Sequence, residues 1–282
     1  GELEVKKKEI LTSYETQLSK IFTTKQHFSI STIPIFINQL NKQIISAGFE
    51  GKLISDVNSF DFKKYSTEIK NLKDDLKKYS GRTYHENVVN TLHSSLNVPE
   101  KWSWMKLDSI SKLISGQHIL SENYNSARIG IPYLTGPADF GNISPKITKW
   151  TEKPKTLSQK NDILITVKGA GVGKVNLLNI NSACISRQLM AIRTDYILPE
   201  LLYYFLDSQL TIISKLAGDW TTVPGIGRES ILQLEIPLIP KELQESTLVA
   251  IKQKFQTTNH IEGKLKTIFL NYQKSIKYIN HI

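Results

Sequence analysis

Residues 168–174, KGAGVGK, are the part of this 282-residue chain whose types and spacing come nearest to a chemical motif. Three glycines between two lysines can cradle a phosphate when the spacing is right. A phosphate loop needs a glycine five residues ahead of the glycine of its Gly-Lys pair and a Ser or Thr after the lysine. Those positions hold Lys168 and Val175. A dinucleotide fingerprint needs two residues before its third glycine, and Val172 alone separates Gly171 from Gly173. The run reads better as a tight turn between two strands, whose N–H groups and lysines can meet a nucleic-acid phosphate. Other chemistry fails on type or placement. The six histidines are scattered, and His85 and His93 stand eight apart with no acid to complete a metal triad. Glu50-Gly51-Lys52 and Glu262-Gly263-Lys264 match the tail of a nuclease signature but lack a preceding acid on a paired strand. No Asn-Pro-Pro-aromatic run, Ser elbow or Cys/His pair occurs. The single cysteine, Cys184, excludes internal disulfides and reads as a small core residue in a reducing cytoplasm. No catalytic residue, metal or cofactor is expected: the chain reads as a binder.

The elements around that turn look like a compact sheet. Residues 162–167 and 174–180 are strand candidates, and residues 184–193 form a third run. Between residues 131 and 193 stand Lys146, Lys149, Lys153, Lys155, Lys160, Lys168, Lys174, Arg187 and Arg193, against Asp139, Glu152 and Asp162. The net charge of +10 is lopsided, with 14 basic against 12 acidic residues in 1–100 and 22 against 14 in 101–282. That asymmetry favours a polyanionic partner, nucleic acid ahead of an anionic membrane. Residues 196–217 form a helix candidate that would cover the sheet, and a last strand ends at Pro237.

Both ends of the chain read as helical. Ile30, Ile33, Ile37, Leu40, Ile44 and Ala47 are spaced 3, 4, 3, 4, 3 and stop at Gly48–Gly51, with Pro34 marking a break or a fresh start. Leu248, Ile251, Phe255, Thr258, Glu262, Leu265, Phe269, Tyr272, Ile276 and Ile279 keep the same alternation, with Thr258 and Glu262 as polar breaks. Such a narrow seam calls for a partner helix, and the two ends are expected to pair antiparallel. The echo of Ile35-Phe36-Ile37-Asn38 in Ile268-Phe269-Leu270-Asn271 supports this. The expected division is a spacer helix over 1–50, a helical connector over 51–97, a recognition domain over 98–243 and a second spacer helix over 244–282. The fold class is α+β, one mixed α/β domain with long antiparallel coiled-coil helices. No signal peptide or apolar run near 18 residues is present, so a cytoplasmic, non-membrane protein is expected. The start at Gly1 in helical pattern fits a piece of something longer.

Several stretches resemble the target recognition domain of the specificity (S) subunit of type I restriction–modification systems. VPEKWSW (98–104) with Lys106-Leu107 looks like its Pro-x-x-Trp opening. YLTGPADFG (133–141), TEKPK (151–155), DILITVKGAGVG (162–173) and ISRQLMAIR (185–193) look like one branch of the domain. VPGIGRESILQLEIPLIP (223–240) looks like its close, and AGFEGKLIS (47–55) like a spacer end. The chain departs from the family in reading PLIPKELQ where Pro-Leu-Pro-Pro-Leu with a Glu-Gln pair is usual. It also has one recognition domain instead of two.

The resemblance implies a non-catalytic subunit that holds two adenine-N6 methyltransferase (M) subunits, and through them a restriction (R) subunit, on bipartite double-stranded DNA. S-adenosylmethionine and ATP would belong to those partners, and a half-size chain would pair as a homodimer. For base reading the candidates lie in the loop 117–128 and in residues 142–155. Gln117, Asn123 and Asn125 offer amide forks suited to adenine, Arg128 suits guanine, and Tyr124 and Trp150 stand beside them. Lys146, Lys149, Lys155, Lys168, Lys174, Arg187 and Arg228 are phosphate candidates. The base-reading candidates are also readable as ordinary polar loop residues, Arg187 and Arg193 as partners of strand-end acids, and Trp150 and Trp220 as core or lid aromatics or as groove wedges. The coiled-coil set is Ile33, Ile37, Leu40 and Ile44 with Leu248, Ile251, Phe255, Leu265, Phe269, Tyr272, Ile276 and Ile279. Two other readings stand: the recognition end of a single-chain restriction–methyltransferase, or a coiled-coil scaffold whose basic domain binds an acidic protein.

Overall fold

The computed structural model describes residues 30–76, 91–217 and 224–279. The first 29 residues of the expected spacer helix, His85 and Trp220 fall outside the described residues, as do the side chains of Tyr272, Ile276 and Ile279. The chain divides into two compact units, residues 1–43 with 254–282, and residues 44–253.

Helix α1 (Thr32–Phe49) begins two residues before Pro34, so the proline sits in the first turn, where its missing N–H costs nothing. It ends in a Schellman motif: Lys52 N–H donates to Ala47 O, Gly51 N–H donates to Gly48 O, and Gly51 takes φ +67°. In the first unit, Ile33, Ile37 and Leu40 of α1 form a buried cluster with Leu265 of the last helix, α7 (Lys241–Ile279), with Phe36 and Ile261 packed alongside. Thr258 is buried, and its Oγ1 donates to Asn41 Oδ1 at 2.7 Å. The order of these partners makes the helices antiparallel. Ile30, expected at the head of the seam, is exposed, as are Ile35 and Ile268 of the short echo.

In the second unit, Ile44, Leu248 and Ile251 are buried, and Gly48 lies so near Ile251 that an added Cβ would stand 2.7 Å from its Cδ1. The last helix starts seven residues before the first apolar seam residue, at Lys241. Its opening turns are buried through polar side chains. Gln244 donates from Nε2 to Tyr196 O and Ile239 O and accepts from Leu198 N–H, and Thr247 is fully buried. Apolar periodicity alone misses such turns.

The connector holds α2 (Phe62–Leu76). It docks Tyr65 onto a two-stranded ribbon of β1 (Ser103–Lys106) and the last strand, β10 (Glu235–Leu238). The Tyr65 hydroxyl donates to Leu238 O and accepts from Ser103 N–H, the pair that ends the ribbon. After β1 come the short α3 (Leu107–Ile110) and β2 (Ser111–Ser115).

The strands that follow are β3 (Ile131–Leu134), β4 (Trp150–Thr151), β5 (Leu157–Gln159), β6 (Ile163–Thr166), β7 (Val175–Leu177), β8 (Ser182–Ile185) and β9 (Leu189–Thr194). They build two four-stranded sheets, not one: β2-β9-β6-β7, wholly antiparallel, and β4-β3-β8-β5, with β3 and β8 parallel. The run 184–193, expected as one strand, is therefore two strands in different sheets. Ser186 makes the break, because its Oγ donates to Thr135 O and accepts from Gln188 N–H. Leu134, Ala183 and Ile185 of one sheet and Leu164, Leu189 and Ala191 of the other share a fully buried core. Helix α4 (Pro199–Ser208) lies against β6 and β7, followed by α5 (Leu210–Ile213) and, near the end of the body, α6 (Arg228–Leu232).

Candidate nucleic-acid interface

Strand register gathers two groups of polar side chains around β3, and Lys149, whose Nζ donates to Thr135 Oγ1 at 3.2 Å, reaches from the first toward the second. The first is the loop from β2 to β3 and the strip that enters β4. Asn125 N–H donates to Trp150 O, and Trp150 N–H donates to Asn125 O. Thr151 Oγ1 donates to Asn123 O at 2.6 Å, Lys153 Nζ to Asn123 Oδ1 at 2.8 Å, and Lys155 Nζ to His118 O at 2.9 Å. Lys149 Nζ stands 5.7 Å from the Tyr124 ring centre, and the Arg128 guanidinium 5.9 Å from that of Trp150. A small core of Ile119, Tyr133 and Cys184 lies beneath, with Tyr124 tilted against Tyr133. Burial pushes the Tyr133 phenol above its ordinary range, against the Ile119 N–H that it accepts. Cys184 is thus the core residue its surroundings suggested.

One expected base reader, Asn125, is hydrogen-bonded within its own loop. Asn125 Oδ1 accepts from Ala127 N–H and Ile129 N–H, and its Nδ2 donates to Ile129 O. The carboxamide is spent on its own loop, where it supports Arg128 at φ +63°. Lys153, within the expected stretch 142–155 but not singled out there, joins this group through its bond to Asn123. Glu122 and Glu152 are exposed in the same stretch.

The second group lies where the sheets are joined. β2 ends with Ser115 opposite Met190, β6 with Thr166 opposite Leu189, and β3 with Leu134 opposite Ile185. The residues that follow gather at one rim. Gly116 N–H donates to Leu189 O, Gln117 N–H to Ile185 O, Val167 N–H to Gln188 O, and Ile226 N–H to Val167 O. The rim carries exposed Gln117, Lys168, Arg187, Gln188 and Arg228, and Arg228 Nη1 reaches Ser115 Oγ at 3.3 Å. The KGAGVG run is a strand-to-strand turn, with Gly173 N–H donating to Thr166 O, and exposed Lys174 closes it. Lys146 follows the Phe140–Pro145 bridge, its N–H donating to Asp139 O.

Among the described residues, none of Arg128, Lys146, Lys149, Lys153, Lys155, Lys168, Lys174, Arg187 or Arg228 pairs with a carboxylate. Arg193 does, donating to both oxygens of buried Asp162 at 2.8 Å, and this bond holds its guanidinium above its ordinary range. Its charge belongs to the fold. Among the described residues no group of three or more His, Cys, Asp or Glu is placed to hold a metal, and no helix is long and apolar enough to cross a membrane.

A two-sheet body that offers cations without carboxylate partners and exposed carboxamides on short loops, with a helix pair formed from both ends of the chain, defines the class of a recognition module. Residues 99–268 match the family model of the type I restriction modification DNA specificity domain. That is more than half of the chain, and the chain belongs to this family. It is 33% identical over 159 residues to a protein named as the putative specificity subunit of the type I restriction enzyme MjaX of Methanocaldococcus jannaschii, covering 55% of this chain and 37% of that one. To the EcoAI specificity subunit of Escherichia coli it is 23% identical over 188 residues, covering 60% and 31%. The crystal structure of the HsdS subunit from Thermoanaerobacter tengcongensis matches with a TM-score of 0.51 at 27% identity, over 73% of this chain and 52% of that one. A chain from a structure of type I restriction–modification complex assembly shares the fold, with a TM-score of 0.56 at 24% identity over 75% and 53%. The chain thus spans about a third of the length of these curated relatives and about half that of the solved chains.

Proposed function

We propose that this chain is the DNA-reading part of a type I restriction–modification specificity subunit, directing adenine-N6 methyltransferase and restriction subunits to a bipartite target in the cytoplasm. The observation that carries the reading is the state of the cations in the matched region. Between Arg128 and Arg228, the ten on loops or at a helix start, Lys160 among them, have no carboxylate partner among the described residues, whereas Arg193, on a strand, has one. Unpaired cations at such places suit phosphates, which fix register, and the amides and guanidinium groups beside them suit base edges. Catalysis would reside in the partner subunits. With one recognition body between two helices, two copies would pair to present two half-sites.

Mobility shift of the full chain with random-sequence duplexes, alone and with methyltransferase subunits, tests the reading. Binding that weakens steeply as salt rises is expected. No binding in either setting, or binding indifferent to salt, sinks it. Solution mass across concentration tests the pairing, and a strict monomer at high micromolar levels removes it.

A further inference from the structure

We propose that Gln188, on the turn where the chain passes from one sheet to the other, is a specificity-determining residue that reads an adenine edge. The proposal rests on the DNA-reading function above and says which side chain at the rim carries sequence information.

The turn is fixed on both sides of this residue. Gln188 N–H donates to Ser186 Oγ at 3.1 Å, Gln188 O accepts from Val167 N–H at 2.8 Å, and Ser186 Oγ is itself anchored on Thr135 O at 2.6 Å. The backbone is thereby tied to both sheets. The side chain has no such bond, and the residue is exposed. It is instead placed by shape. Its Oε1 lies over Gly136, where an added Cβ would approach to 2.3 Å. Gly136 has φ 166°, an extended backbone that any residue adopts, so the backbone does not call for glycine there. Keeping the space above that residue for the Gln188 carboxamide is the reason the structure offers.

A carboxamide on a rigid turn, free of internal partners, has the donor and acceptor that pair with N7 and N6 of adenine in the major groove. Asn125 supplies the contrast, because its carboxamide is consumed within its loop. The neighbours Arg187, Lys168 and Arg228 are exposed cations that can hold the backbone of the same duplex at that rim.

The test is selection from a library of duplexes with a randomised core, using the full chain as wild type, Gln188→Ala, Gln188→Glu and Gly136→Ala. Wild type is expected to enrich a motif containing an adenine. Both Gln188 variants should lose about 5- to 100-fold of the preference for that one base and keep the rest of the motif. Gly136→Ala should lose the same base, since its clash falls on the tip of a flexible side chain and displaces the carboxamide without unfolding the sheet. In a Gln188→Ala background it should add nothing further. If wild type enriches a motif and the Gln188 variants enrich the same one, or weaken all sequences alike, the inference is wrong and the DNA reading stands. If wild type enriches nothing, both fall.

Discussion

Asp162 and Arg193 should not fail alike when either is removed. Arg193 donates from Nε to Oδ1 and from Nη2 to Oδ2, both at 2.8 Å, bridging the start of β6 to neighbouring β9. The Asp162 side chain is 2% exposed and that of Arg193 31%. Arg193→Ala strands a buried carboxylate that keeps the Gln159 N–H as its donor. Breaking a buried pair from one side costs about 3–5 kcal/mol, and this variant should fall within that range. Asp162→Ala leaves an arginine whose side chain is already 31% exposed and can turn its charge to water. Rehydration softens the loss to about 2–3 kcal/mol, even with the Gln159 bond gone. The double variant should cost far less than the sum, because neither charge is then left alone. Urea unfolding of the four proteins, analysed with a common slope, measures all three numbers. An Asp162→Ala loss larger than that of Arg193→Ala, or either loss below about 1 kcal/mol, would refute the claim that burial of the carboxylate dominates this pair.

Lys168→Ala should lower the slope of log binding constant against log salt by about 0.9, the share of one phosphate contact. Lys252→Ala, whose ammonium already pairs with Glu200 at 2.6 Å, should leave that slope unchanged. Thr258→Val removes the donor that Asn41 accepts in the helix seam and should cost about 1–2 kcal/mol in thermal or urea melts, with Asn41→Leu on top restoring most of it. Burial pushes the Tyr65 phenol from 10 up to about 12, so its contribution to stability is complete below pH 10 and is lost as pH rises through about 12. Tyr65→Phe, besides giving up its bonds to Leu238 and Ser103, should flatten the fall in stability measured between those two values.

What could be read from sequence was local. The two strands around KGAGVG pair directly, so their hydrophobic runs and the glycines between them suffice. The helix seams were legible because Ile33, Ile37 and Leu40 repeat at helical spacing and face Leu265. The parallel pairing of Tyr133 with Cys184 joins residues far apart in the chain and leaves no local trace. The break at Ser186 is equally silent, since a serine within an apolar run shows nothing of the Thr135 carbonyl that its hydroxyl meets. Gln244 and Thr247 look like surface residues until their burial is known, which hid the first turns of α7. The cationic loops were visible by composition. Gln188 was not, because its placement depends on a glycine in another loop.

Asn125 and Gln188 carry the same functional group on exposed loops and should nevertheless fail in different ways. The Asn125 carboxamide makes three bonds, of 2.9, 3.0 and 3.2 Å, to backbone groups of residues 127 and 129. Its removal loosens the turn that holds Arg128 near Trp150, and with it a cation, while no base loses a direct partner. Asn125→Ala should therefore weaken binding to all duplexes alike and lower the salt slope by about 1, as Arg128→Ala does, with the double variant no worse than either. Gln188→Ala should leave that slope alone and change the preference at one base. Profiling both variants on one randomised library separates the two outcomes. If Asn125→Ala altered a single base position at unchanged salt slope, the carboxamide would have to leave its loop on binding. Asn125 would then be a base reader, and its three loop bonds would describe only the DNA-free state.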